Sequence, residues 1–309
     1  MKPVPSVRLP EWSPPPASPL LRGGLRGITA RRPLVTFVVM GLSLAYALML
    51  AWGLAYRGVI PGGSLADRLD VAPDELAGLL SVCGLFPSAV FVVWATEGRD
   101  GLARLARRMT RWRVGFGWWL VVLTGLPTIT TVLALALGDS WRPVAPLPLF
   151  VSQLGYLAIN LAVINLWEEA AWSGLFMTRL ERRHNVYAVA VFSAVPFALA
   201  HVPLEFFVGG RVTVGTLVTA FISYFILAAL VRPMLATVMR GAADSLLLVA
   251  LTHSVFNRTN NDNGIVANLV SGDMRLAVMP LAVILLTVVI AIPIRRRLGR
   301  GYRLQLDAA

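Results

Sequence analysis

Apolar residues in this chain gather into eight blocks, near 34–56, 76–95, 116–137, 149–178, 186–204, 213–232, 242–257 and 276–294, joined by short charged connections. A helix needs about 20 mostly apolar residues to cross the hydrocarbon layer, and lipid offers no partner to an unpaired peptide group. The blocks therefore predict an all-α, polytopic membrane helical bundle of about eight transmembrane helices. The seventh block is short, opens at Asp244 and carries a histidine, which places it in the protein interior, where lipid thickness sets no limit. Composition agrees: at 57% hydrophobic residues and a mean hydropathy of +0.70, the chain is too apolar for an ordinary soluble domain.

A net charge of +12 would suit a nucleic-acid partner, but the arginines are not placed for one. With the N-terminal tail taken as internal, internal segments hold 22 basic residues, and external loops hold 6 basic and 8 acidic ones. That asymmetry is the one that orients membrane proteins, so both termini are expected on the cytoplasmic side of what reads as a bacterial plasma membrane. No nucleic-acid partner is expected; the basic loops meet lipid headgroups instead. Residues 1–33, with eight prolines and no apolar periodicity, read as a disordered cytoplasmic tail. The membrane domain is expected over 34–298, and 299–309 is a second cytoplasmic tail. Cys83 is the only cysteine, so no intrachain disulfide can form.

Few ionisable residues remain inside the spans: Glu168 and Glu169 in the fourth, His201 in the fifth, and His253 in the seventh, with Asp244 at that span's edge. Intramembrane carboxylates are costly enough that they normally face a protein interior or a water-filled cavity. Counted from the cytoplasmic ends of their spans, Glu168, His201 and His253 lie about 15, 22 and 17 Å deep at 1.5 Å per residue, so they can share one layer. Residues four apart share a helix face. Phe197 therefore lies beneath His201, Asn257 beside His253, and Asn165, Glu169 and Ser173 in one row, while Glu168 stacks with Trp172. Each helix thus shows a polar cluster on one side of an apolar cylinder, which predicts a central polar cavity. A lone histidine of this kind serves as readily in an interhelical hydrogen bond, and Asn257 alone reads as a helix-end residue; the conjunction is what points to chemistry.

A carboxylate and a histidine can hold a water and move its proton, and a second histidine with an asparagine can donate to an oxyanion. Together these operations amount to peptide hydrolysis. Two histidines and a glutamate also suit zinc with water in the fourth position, so a divalent metal on Glu168, His201 and His253 is the alternative. No H-E-x-x-H helix is present, and the sequence does not choose between the two.

Glu168-Glu169 followed by Trp172 and Gly174, then Phe197-x-x-x-His201, then His253-x-x-x-Asn257, resemble the three motifs of the CPBP family. This family comprises intramembrane proteases related to the type II CAAX prenyl endopeptidase and to bacteriocin-processing and immunity (Abi) proteins. With the arginine-rich stretch before residue 116, the resemblance covers about residues 76–260. It implies a water-activating role for Glu168 with His201, and oxyanion contacts from His253 and Asn257. Glu169, Ser173, Phe197 and Trp172 are then supporting residues. Members are described both as metalloproteases and as metal-free, glutamate-dependent hydrolases. The implied substrate is a membrane-associated or lipidated peptide; nothing in the sequence identifies it or sets the oligomeric state.

One position departs from the family pattern. The first motif reads E-E-x-x-x-R, and its sixth residue here is Ser173. Glu169 is then expected either to be protonated or to turn to Asn165. The departure keeps a second reading open, a non-catalytic membrane scaffold or immunity-type protein retaining the family fold. A transporter reading is weakened by the lack of an internal repeat.

Overall fold

The computed structural model describes residues 24–69, 72–207 and 212–298. Two short pieces, α1 (Gly24–Arg31) and α3 (Leu65–Leu69), flank the first long helix, α2 (Pro33–Tyr56). Then come α4 (Pro73–Met109), α5 (Phe116–Ala136), strand β1 (Ser140–Trp141) and α6 (Pro146–Ile159). The helix begun by α6 runs on through α7 (Leu166–Glu169) to α8 (Thr178–Leu180), with π-helical segments at Asn160–Asn165 and Ala170–Met177. After α9 (Val186–His201) and a 3-10 turn at Val202–Phe206 come α10 (Val214–Gly241), α11 (Leu246–Asn260), α12 (Ile265–Leu269), β2 (Val270–Ser271) and α13 (Met274–Leu298). Among the described residues, seven helices are long and apolar enough to cross a membrane. The chain is an integral membrane protein built as an all-α bundle, and α11, with fifteen residues, is the eighth, interior element that the sequence predicts. It is buried along almost its whole length among α5, the α6–α7 region and α10.

Three differences from the sequence expectation have physical causes. First, Gly24–Arg31, inside the expected tail, is helical and packs on α4, where the Arg26 guanidinium lies 3.6 Å from the centre of the Trp94 ring. The rest of that tail, and residues 299–309, lie outside the described residues. Second, α4 does not stop at residue 95. Gly98 takes φ +66°, which a glycine adopts without strain, and the helix resumes in a new direction as an amphipathic segment that buries Leu105, Arg108 and Met109. Third, α10 runs nine residues past Arg232, so that arginine lies within a helix and not in a loop.

Side chains end helices locally: the Asn185 side chain accepts from Ala188 N, Ser245 from Leu248 N, and Thr213 forms a capping box with Thr216. Between helices, lipid tails are as apolar as leucine, so close packing and polar contacts decide association. Gly84 shows the packing: a Cβ there would sit 2.3 Å from Ala45 N, so only glycine lets α4 approach α2 this closely. Trp172 shows it in the core, with its ring 5.3 Å from Phe37 and 5.8 Å from both Phe176 and Phe197. Outward faces stay apolar, as at Val39, Phe150, Ile226 and Val289. At one end, Ser140 and Trp141 pair antiparallel with Ser271 and Val270; the other carries the arginines of α4 and of residues 179–183.

Candidate functional site

The helix spanning Pro146–Leu180 is irregular on both sides of its two carboxylates. A single α-helical turn, Leu166–Glu169, is bracketed by the two π-helical segments. A π turn inserts one residue and misaligns backbone partners, an irregularity common at functional sites. Side chains take up the displaced carbonyls: Trp167 Nε1 donates to Ala162 O at 2.7 Å, and Thr178 Oγ1 to Ser173 O at 2.8 Å, each across five residues. The widened turns rotate Glu168 and Glu169 inward, where they are 5% and 0% exposed.

Glu169 is fully partnered. It accepts from the Ser173 hydroxyl, from Arg232 Nη1 at 2.9 Å and from His253 Nδ1 at 2.9 Å. Asn165 does not reach it; that amide donates to Ser254 Oγ at 3.0 Å. The expected choice between protonation and Asn165 is thereby corrected, because an arginine from α10 occupies the carboxylate. Arg232 is 1% exposed, and its guanidinium lies 4.2 Å from the Phe197 ring centre and 6.0 Å from that of Trp172.

Glu168 is different. Among the described residues it makes no side-chain hydrogen bond, and its nearest polar neighbours are His201 Nε2 at 3.8 Å and His253 Nδ1 at 3.7 Å. His201 ends α9, its ring stacked on Phe197 at 4.2 Å, one turn back as the spacing predicts. Its Nδ1 donates to Phe197 O at 2.8 Å. Since a carbonyl only accepts, that nitrogen carries the proton, and Nε2 of the neutral ring is left as an acceptor facing Glu168. His253 is held the same way: Nδ1–H is committed to a carboxylate, and Nε2 is the atom left for other work.

The predicted residues are thus brought together in part. Glu168, Glu169, His201 and His253 form one cluster with Ser173 and Phe197, and Trp172 packs behind them. Asn257 lies one turn beyond His253 and makes a long hydrogen bond to Asn160 Oδ1, 3.4 Å from its Nδ2. Arg232 is the residue that sequence reading missed. It stands at the end of an apolar block beside Pro233, where an arginine reads as a positively charged flank. The signal was present, since Met234 to Met239 continue the apolar run beyond it. Arg108, Arg240 and Arg258, which likewise read from sequence as residues of the charged connections, are also buried.

No three His, Cys, Asp or Glu side chains among the described residues form a group able to hold an ion. A zinc ion takes histidine nitrogens at about 2.0–2.1 Å; the His253 nitrogen nearest Glu168 is bonded to Glu169, which leaves Nε2 as the one nitrogen of that ring able to ligate.

Comparison with known proteins bears on this cluster directly. Residues 150–259 match the family model described as type II CAAX prenyl endopeptidase Rce1-like. The match spans less than half of the chain, yet it contains all of the clustered residues, Arg232 and Asn257 included. It bears out the family resemblance read from the three motifs. No curated protein and no solved structure matches the chain.

Proposed function

We propose that this chain, whose Rce1-like segment relates it to intramembrane CAAX-type proteases, hydrolyses a peptide bond of a membrane-associated or lipidated substrate. The observation that carries the reading is the 3.8 Å gap between two acceptors, His201 Nε2 and the Glu168 carboxylate. One water fits there, donating to both through bonds of about 2.8 Å. Having given up both protons to acceptors, it presents a lone pair to the substrate carbonyl. Glu168 takes a proton as the oxygen attacks carbon. The carbonyl oxygen becomes an oxyanion, stabilised by Asn257 Nδ2–H and by His253 Nε2 when that ring is doubly protonated. Collapse breaks the C–N bond, and the proton held by Glu168 passes to the leaving amine, giving an acid and an amine with Glu168 regenerated.

Asn257 would leave its long bond to Asn160 to serve in this way, a cheap exchange at 3.4 Å. The basic end faces the cytoplasm in this reading, as the arginine distribution favours. The scaffold reading rested on the missing motif arginine, and Arg232 at Glu169 weakens that ground.

The test compares membrane peptides from cells carrying wild type, Glu168→Ala or His201→Ala at matched levels. A cleavage product that disappears in both variants is expected. Its persistence in both would sink the assignment.

A further inference from the structure

Glu169 is 0% exposed and its carboxylate already receives three hydrogen bonds, so it takes no part in activating the proposed water, yet it is among the most heavily bonded side chains in the bundle. Its two oxygens divide the work. Oε2 receives Arg232 and Ser173, and Oε1 receives His253 Nδ1. The arginine comes from α10 and the histidine from α11, so one carboxylate ties three helical elements at the depth of Glu168. Arg232 has a second line of contact: it lies over Phe197, whose ring is stacked on His201 and whose carbonyl accepts from it. The same guanidinium therefore touches the residues that orient both histidines.

We infer that Arg232 is a positioning residue, supplying from α10 the cation that Ser173 lacks and fixing His253 through Glu169. The inference rests on the proteolytic reading for its consequence, but not for its structural content. An ionised Glu169 can only accept, so His253 Nδ1 carries a proton whether the ring is neutral or charged, and a second proton can add only at Nε2, the atom that then donates to the oxyanion. Without a cation, a carboxyl buried among apolar rings escapes its desolvation cost by taking up a proton. A protonated Glu169 can donate to Nδ1 as well as accept from it, and the second proton of His253 is then no longer directed to Nε2. Ser173 cannot substitute for the arginine, because a hydroxyl brings no charge. It serves as a third hydrogen bond to an oxygen that Arg232 already neutralises.

Relocating the charge tests this. Three variants are compared with wild type in lipid: Arg232→Ser, the exchange Arg232→Ser/Ser173→Arg, and the uncharged refill Arg232→Ser/Ser173→Met. Orienting groups behind a reactive histidine typically contribute about 10–100-fold, so Arg232→Ser should lower kcat by that much with KM little changed. The exchange should recover most of the loss and the refill should not, since packing is restored in both and charge in only one. Infrared difference spectra against matched Glu169→Gln backgrounds read the carboxyl directly. Glu169 should be ionised in wild type and in the exchange, and protonated in Arg232→Ser and in the refill. An ionised Glu169 in Arg232→Ser, or equal rescue by refill and exchange, overturns the inference. If wild type proves to cleave nothing, the proteolytic reading fails while the infrared arm still decides the role of Arg232.

Discussion

Two clusters of buried charge lie at different depths of this bundle, and they are closed differently. At the basic end each carboxylate has an arginine: Arg108 Nε lies 2.7 Å from Asp244, and Arg240 Nη2 lies 2.9 Å from Glu181. Arg108 also donates to Gly174 O and to Thr178 Oγ1, and Arg111 donates to Ala243 O. These bonds clamp the end of α4 onto the Ala170–Met177 π segment and onto the turn between α10 and α11, where Ala243 and Asp244 both adopt positive φ. In the middle of the bundle the pattern repeats for Glu169 and Arg232. It then breaks, because Glu168 is as buried as Asp244 and has only two histidines near it, neither within hydrogen-bond distance. A cluster whose charges are all matched fixes helices. A cluster with one acceptor left over holds something that can act on a substrate, at a standing cost in stability.

Removing the unmatched carboxylate should therefore separate activity from stability more sharply than any other change. Glu168→Gln is expected to lower turnover by about 10³–10⁴-fold, near the upper end of what a general base contributes, while thermal unfolding in detergent stays at or above the wild-type temperature. A variant that unfolds at lower temperature would mean that Glu168 is matched after all and belongs with the clamps. Asp244→Asn should do the reverse. It leaves the Arg108 guanidinium buried without its countercharge, and breaking such a pair costs about 3–5 kcal/mol. Turnover per folded molecule should stay near wild type. A loss of turnover much larger than the loss of folded protein would show that the clamp also sets the position of His253 along α11.

The same contrast explains what the sequence disclosed. The spans and the quartet Glu168, Glu169, His201 and His253 were legible because lipid tolerates so few charges that each intramembrane one stands out. Phe197 under His201 was legible because α9 keeps α-helical spacing up to His201, Pro196 notwithstanding. The Asn165–Glu169–Ser173 row was legible only in part: both ends lie in π segments, and while Ser173 still reaches Glu169, the Asn165 amide is taken by Ser254 on α11, a partner that helical spacing does not disclose. Arg232, Arg108 and Arg240 were misread for a different reason. An arginine at the edge of an apolar block, or in the charged stretch between two blocks as Arg108 is, looks like a flank, and only a tertiary partner elsewhere in the chain (Glu169, Asp244 or Glu181) turns it into a buried residue. The resumption of α4 after Gly98 was hidden likewise, since an amphipathic, arginine-rich stretch reads as a loop until the surface it covers is known.

The smallest effect expected concerns Glu181, which lies just past the end of its span at Leu180 and is 4% exposed. Burial raises its carboxyl, Arg240 pulls the other way, and Asp244 adds to the rise, leaving it pushed up to about 7 from an ordinary 4.5. Between those two values the folded protein keeps a proton that the unfolded chain has released, so the unfolded state binds fewer protons and stability falls as pH rises through that window. Glu181→Gln removes the titration. The stability of wild type relative to this variant should therefore decline from pH 5 to pH 8, by about 1–3 kcal/mol for a shift of this size. Such a decline would show that the basal clamp is only partly ionised at neutral pH, so that its arginines hold the helices with less charge than the geometry suggests. A difference that stays flat across the range would instead mean that Arg240 keeps Glu181 ionised throughout. Both clusters would then consist of fully charged pairs, and what distinguishes the site would come down to Glu168 alone.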